Sequence, residues 1–563
     1  MEERAGVVAM TAVSVLPFVL VLAARPSDEV TDFPGYLGTM PSKVFSGYIR
    51  ATAAGQTFLS HYVLTESQRD PAADPLLLWQ QGGPGSSGFG YGYLAELGPY
   101  RLDADSMIGN GTTPVPQRNV DSWDRVSNLL LFEHPPGTGF SYCVDDRGKP
   151  TPCKWNDQTQ AEAFYATLAA WYDAWPAYAS HELRVIGESY AGLLIPFLAF
   201  EIYSKHPTGI PARQLKGIAI GNGCPGTAGS TPTNTGTCNG THTPVKSSNV
   251  ASRAASPLRP VSAPRVTRTQ SHTNLSTPHQ RTPLATTRGV LPRACRARAG
   301  PYGNYDTQHV LELAHGHGAL PRAQWEALVK TCEFPCAAPT WSESCATFSM
   351  ACEELISSAH DAIGSFNIYD FYDNCGDGNQ AGAALSGAQH RARLNGPAVP
   401  RHTGGQSYGC GTGKAATVWA NEPAVRAALH MHPASFYGYN WSLFAGAAMQ
   451  YDHYTGSSYD LYPCLLNHTS VLIYNGDVDG CVPYSSNADW IVALAAQQGW
   501  EQAEAWRPWT LRQLPAGYVT RYDTKCAHNL TFLTIKQAGH MVPQYQPARA
   551  FAFFSSWLEG AAF

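Results

Sequence analysis

Six short, largely apolar runs, each stopped by a turn, constrain this chain more than any other feature. They are Leu76–Trp79, Leu129–Phe132, Leu183–Ile186, Ile218–Ile220, Val471–Tyr474 and Leu530–Ile535. Segments this short and this apolar read as strands buried on both faces. Helical patterns lie between some of them, notably Ala161–Ala174 and Pro423–Leu429. Strands alternating with helices predict an α/β fold, with a largely parallel central sheet covered on both sides. Ligands in such sheets bind at the carboxyl ends of the strands. The chemically suggestive residues of this chain all follow directly after one of these runs.

The strongest of these segments is Val185-Ile186-Gly187-Glu188-Ser189-Tyr190-Ala191-Gly192, followed by an apolar helical stretch, Leu193–Tyr203. A strand that ends in a sharp turn with Ser at its apex is a nucleophile elbow, and small residues at Gly187 and Ala191 permit it. The usual pattern has Gly where Ala191 stands. A Ser hydroxyl needs a general base, itself oriented by a carboxylate, and in such folds the chain order is Ser, Asp, His. Downstream, Val471–Tyr474 runs into a turn carrying Asp477 and Asp479, and Leu530–Ile535 runs into Ala538-Gly539-His540. Either turn alone is ordinary; in this order, each at a strand end, they gain meaning. Upstream, Gln80-Gln81-Gly82-Gly83-Pro84-Gly85 supplies a Gly-rich turn where backbone N–H groups could meet an oxyanion. It fails as a phosphate loop, because no Lys-Ser or Lys-Thr follows at the required spacing.

A chain of 563 residues exceeds what one core usually fills, so one large domain with insertions or two domains are expected. A formal charge of −5 gives no reason to expect nucleic acid as partner. Residues 1–24 read as a signal peptide, with an uncleaved signal anchor as the rival; after cleavage no membrane association is expected. Fourteen cysteines suit an oxidising compartment. The cluster Cys332, Cys336, Cys345 and Cys352, with Cys375 and Cys410 following, reads as disulfides rather than zinc, for lack of paired ligand spacing. Sequons at Asn110, Asn239, Asn274, Asn440, Asn467 and Asn529 agree with a secretory route. Of these, Asn110, Asn440, Asn467 and Asn529 are the glycosylation candidates. The stretch 225–300, rich in Ser, Thr, Pro and Arg and without Asp or Glu, lacks the apolar material to offset its ordering entropy and reads as disordered. A processed linker and translated intron are the two explanations for it.

Taken together, the blocks PLLLWQQGGPGSS, ELGP, SWDRVSNLLLFEHPPGTGFSY, VIGESYAGLLIP, LKGIAIGNG, YNGDVDGCVP and FLTIKQAGHMVPQYQP resemble the serine carboxypeptidase family, in family order along nearly the whole chain. The resemblance implies an α/β-hydrolase fold with a cap. The core would then occupy 25–224 and 416–563, around the insertion 225–300 and a cap region 301–415. It implies Ser189 as nucleophile, His540 as base, Asp479 rather than Asp477 as the orienting acid, and the Gly83 and Tyr190 N–H groups as oxyanion donors. Recognition of a substrate's C-terminal carboxylate would fall to Gln81, Gly82, Glu188 and Glu96. Two close carboxyls in a poorly solvated cleft cannot both ionise cheaply, so one keeps a proton and can donate it to that carboxylate. An acidic working range follows.

Two departures stand out. Gln81 occupies the place of the family's usual Asn, and Ser86 that of a usual Cys. The implied activity is hydrolysis of peptides with a free C-terminus, without metal or organic cofactor, in a vacuole, a lysosome or outside the cell. Monomer and homodimer are both left open. The alternatives are acyl transfer on the same triad, which the Gln81 replacement keeps alive, and a non-catalytic protective or binding protein. In this family the cap shapes the side-chain pocket.

Overall fold

The computed structural model describes residues 25–103, 106, 114–224, 302–334, 348–364, 366–373, 412–438, 440–452 and 458–563. The expected signal peptide, the stretch 225–300 and the sequons at Asn110, Asn239 and Asn274 lie outside the described residues. So do Cys336, Cys345, Cys375 and Cys410.

The strands that form the body of the sheet are β1 (Val44–Ala53), β2 (Gln56–Thr65), β3 (Leu76–Gln80), β4 (Asn128–Phe132) and β5 (Leu183–Glu188). They continue with β6 (Leu215–Gly221), β7 (Ser470–Gly476), β8 (Glu501–Leu511), β9 (Leu514–Asp523) and β10 (Leu530–Ile535). Their spatial order is β1-β2-β4-β3-β5-β6-β7-β10-β9-β8. The six central strands are parallel. Antiparallel hairpins, β1–β2 and β8–β9, flank them. Each of the six apolar runs read from the sequence lies within one central strand.

Their unbroken apolarity has a direct cause. Leu76 and Leu78 pack toward Phe164, Leu168 and Trp171 of helix α1 (Asp157–Ala174) and Leu194 of α2 (Ala191–Lys205). Leu77 and Trp79, one residue out of phase, pack on the opposite face against Phe89, Tyr93 and Trp123. Alternate side chains thus enter two different cores, and neither face is left for polar residues.

Between β6 and β7 lie three helices with a small core of their own: α3 (Tyr302–Gly316), α4 (Arg322–Thr331) and α5 (Met350–Ile363). Leu311, Ala314, Leu320, Leu328 and Ala359 form that core, and the Cys332–Cys352 disulfide staples it. A second disulfide joins Cys143 to Cys153. Among the described residues no helix is long and apolar enough to cross a membrane.

Candidate active site

Chain order reverses at β3: β4 lies on one side of it and β5 on the other. Such a switch point leaves a crevice at the strands' carboxyl ends. The Gly-rich turn leaves β3 and the Ser189 turn leaves β5, and the register Gln80↔Gly187 sets the two side by side.

The elbow is as tight as its sequence requires. A Cβ on Gly187 would meet the Gln80 carbonyl oxygen at 2.0 Å, and one on Gly82 would meet Ser189 Cβ at 2.6 Å and Tyr190 N at 2.7 Å. Gly82 therefore allows the Gly-rich turn to press onto the Ser189–Tyr190 peptide, beside the N–H expected to serve as an oxyanion donor. Ser189 itself has φ +63°, a left-handed conformation that costs a non-glycine residue about 1–3 kcal/mol and persists only where the surroundings enforce it. Three backbone hydrogen bonds do so: Ser189 N to Gly221 O, Gly192 N to Ser189 O and Cys224 N to Ser189 O, at 2.9–3.0 Å. The Ser189 side chain is half-buried.

His540 Nδ1 lies 2.7 Å from Asp479 Oδ2. Asp479 is fully buried and is held by further donors: Cys481 N at 2.7 Å, Val482 N at 3.1 Å and Asn222 Nδ2 at 2.8 Å. Burial pushes the His540 imidazole down, but the charge and hydrogen bond of Asp479, together with the Glu188 charge, leave the ring above its ordinary range. Asp477 makes a different contact, accepting Gln537 N at 2.6 Å. The geometry therefore separates the two acids of the turn.

The carboxyl pair is buried. Glu96 is 2% exposed and Glu188 1%. Glu96 stands on the π-helical stretch Gly88–Leu97. Among the described residues no N–H donor reaches either Glu96 oxygen, and its polar partner is the Glu188 carboxyl. Burial, then the neighbouring Glu188 charge, hold Glu96 well above the usual carboxylate range. Burial likewise pushes Glu188 up, to about 7, against the opposing pull of His540 and Gln81. Gln81 Nε2 donates to Glu188 Oε1 at 2.6 Å, and Gln81 Oε1 accepts from Trp79 Nε1 at 2.9 Å.

Two contributors escaped the sequence reading. Asn222 follows β6, with φ +42°. It donates to Asp479 and accepts from Gly476 N at 2.9 Å. The only signal for it was its place at a strand end in the block LKGIAIGNG. Tyr369 belongs to the segment 366–373, which straps across both downstream turns. Its carbonyl accepts His540 N at 2.7 Å, Ile368 O accepts Gly480 N at 2.9 Å, and Phe371 N donates to Val478 O at 3.0 Å. The Tyr369 ring lies 5.1 Å from the His540 ring. Among the described residues no group of three or more His, Cys, Asp or Glu side chains is arranged to hold a metal ion. Asn440, Asn467 and Asn529 are all exposed.

Comparison with known proteins places this geometry in context. The family model described as serine carboxypeptidase matches residues 34–254 and 302–560. Serine carboxypeptidase-like 20 of Arabidopsis thaliana is 28% identical, over 97% of this chain and 96% of its own. Serine carboxypeptidase 1 of Hordeum vulgare is 26% identical over 96% and 94%. The lysosomal protective protein of Mus musculus is 28% identical over 97% and 98%. Among solved structures, Kex1(delta)p, a prohormone-processing carboxypeptidase from Saccharomyces cerevisiae, superposes with a TM-score of 0.56. It shares 18% identity and covers 92% of this chain and 91% of its own.

Proposed function

Because the chain belongs to the serine carboxypeptidase family, with its α/β-hydrolase fold, we propose that it is a serine-type carboxypeptidase working at acidic pH. It releases C-terminal residues from peptides through an acyl-enzyme. The observation that carries this reading is the buried Glu188–Glu96 pair beside the Ser189 elbow, with the Gln81 amide on Glu188. A carboxyl kept protonated by burial donates a hydrogen bond to a substrate carboxylate, where an ionised one would repel it. The pair thus selects for a free C-terminus and sets the scissile bond over Ser189.

His540 takes the Ser189 proton as Oγ attacks the scissile carbonyl, and the Gly83 and Tyr190 N–H groups receive the oxyanion. The imidazolium, steadied by Asp479, then protonates the leaving amine, and the C-terminal amino acid departs. Water, deprotonated by His540, hydrolyses the acyl-Ser189 ester and regenerates the enzyme. Disulfides and the exposed Asn440, Asn467 and Asn529 support a place in the secretory pathway, with those asparagines as glycosylation sites.

One observation favours a second reading, acyl transfer: Gln81 in place of the family's Asn. Hydrolysis of blocked dipeptides across pH 4 to 8, with free and amidated C-termini, separates the two. Cleavage of the free acids alone at acidic pH, abolished by Ser189→Ala, supports the peptidase. Labelling of Ser189 by a fluorophosphonate without dipeptide cleavage supports transfer, and absence of labelling supports a non-catalytic protein.

A further inference from the structure

Backbone hydrogen bonds hold the strained Ser189 turn from one side; on the other a buried carboxylate holds it through a side chain. Tyr190 follows the nucleophile and is the N-cap residue of helix α2, with φ −58° and ψ −14°. Its side chain is 8% exposed, and its hydroxyl donates to Asp157 Oδ1 at 2.9 Å. The same oxygen accepts the Tyr451 hydroxyl at 2.6 Å, and the two phenol rings meet edge to face with centroids 6.0 Å apart. Asp157 is fully buried.

Its own position is unusually well determined. It is the first residue of α1, directly after Asn156, whose side chain caps that helix by accepting Gln158 N and Thr159 N. The strand before it, Cys153–Asn156, pairs in parallel with Met449–Asp452, placing Trp155 opposite Tyr451. Helix start, two-stranded sheet and elbow therefore converge on one carboxylate oxygen.

From this convergence we infer that Asp157 is a positioning residue for the oxyanion hole: through the Tyr190 phenol it fixes the direction in which the Tyr190 N–H is presented. The inference rests on the reading of that N–H as an oxyanion donor. A donor aimed at a developing charge acts only if it does not have to reorient. The Tyr190 N–H follows a left-handed residue that would relax if released. Clamping the side chain removes that freedom.

The test compares Tyr190→Phe, Asp157→Ala and Asp157→Asn with the unaltered chain. The readouts are kcat and KM on a blocked dipeptide, turnover of an activated ester, and inhibition by a peptide aldehyde. The aldehyde's adduct with Ser189 carries an oxygen in the oxyanion position. Tyr190→Phe and Asp157→Ala are each expected to lower kcat roughly ten- to a hundredfold. Aldehyde affinity should fall by the same factor, with KM changed less than threefold. The double variant should lose no more than the worse single one. Asp157→Asn, whose amide oxygen still accepts, should recover most of the activity. Tyr190→Phe fills the same space and carries the test alone if Asp157→Ala does not fold. Unchanged aldehyde affinity and ester turnover in Tyr190→Phe would overturn the inference. An unaltered chain that turns over the ester but no peptide counts against the peptidase reading only, and the ester ratios still decide this one.

Discussion

Gln81 Nε2 donates to Glu188 Oε1 across 2.6 Å while Gln81 Oε1 accepts from Trp79 Nε1 across 2.9 Å. The amide thus bridges the tryptophan of its own strand and the carboxyl of the neighbouring one. The added methylene, relative to the usual Asn, is taken up by this span. Gln81→Asn shortens the side chain and leaves either the buried Trp79 N–H or Glu188 without its partner. An orphaned buried polar group costs about 1–3 kcal/mol, so a lower melting temperature is expected by calorimetry. An unchanged one would mean that the bridge carries no stability.

The carboxyl pair makes substrate binding pH-dependent in one direction. Glu188 is raised to about 7 by burial from an ordinary 4.5, and Glu96 is raised with it. The Glu188 proton is present at pH 5 and lost as pH rises through about 7. KM for free-acid dipeptides should therefore climb between pH 5 and 8, while KM for Glu188→Gln, whose side chain at that position is neutral at every pH, climbs less. Stability carries the same sign. A raised folded-state pKa stabilises most below the unfolded value and loses that contribution on the way up to the folded one. The difference in melting temperature between the parent and Glu96→Gln should thus shift against the parent from pH 5 to pH 7.5. Parallel profiles would remove the pair from the binding site.

Asp479 and Asp477 should respond very differently to the same change. Asp479→Asn disturbs the tautomer and charge partner of His540 and is expected to lower kcat about ten-thousandfold. Asp477→Asn weakens the contact to Gln537 N and removes the attraction to Arg549 and Lys536, and should leave kcat within about threefold, since such a hydrogen bond is worth about 1 kcal/mol to local structure. Steady-state kinetics on one dipeptide decides it, and equal losses would reassign the acid.

Asn222 joins the Asp479 carboxylate to the Gly476 N–H. Asn222→Gly keeps the positive φ without strain but removes both bonds. Its kcat is expected to fall roughly tenfold, with the reactivity of Ser189 toward fluorophosphonate falling in step. A loss of stability with normal labelling would confine Asn222 to the fold.

The parts legible in sequence were those with local signatures. Leu76–Gln80 and Leu530–Ile535 announce themselves because both of their faces are buried, and Gly187 and Gly82 mark close approaches that admit no side chain. The hairpin β8–β9 was invisible. It stands at the sheet's edge, and most of Glu501–Leu511 is exposed or half-exposed, with Pro508 inside it, so no apolar run records its existence. The β1–β2 hairpin carries polar residues such as Ser46, Ser60 and His61, which are fully buried and hydrogen-bonded and which a search for apolar runs passes over. The contact of Glu96 with Glu188 and the service of Asn222 to Asp479 depend on which strands lie side by side. Nothing local encodes them, and the family resemblance supplied only the first.

The pairing of β6 with β7 has a consequence for the chain as a covalent object. Gly221 lies opposite Tyr474, and Asn222 N bonds the Tyr474 carbonyl at 2.8 Å, so the segment bearing Ser189 and the segment bearing Asp479 and His540 are laced together by a ladder of parallel hydrogen bonds. In sequence those two strands are separated by residues 222–469. This seam is a direct backbone link between the two segments. A single break in the polypeptide between residues 225 and 300 would leave the seam closed, and one chain or two would present the same catalytic face.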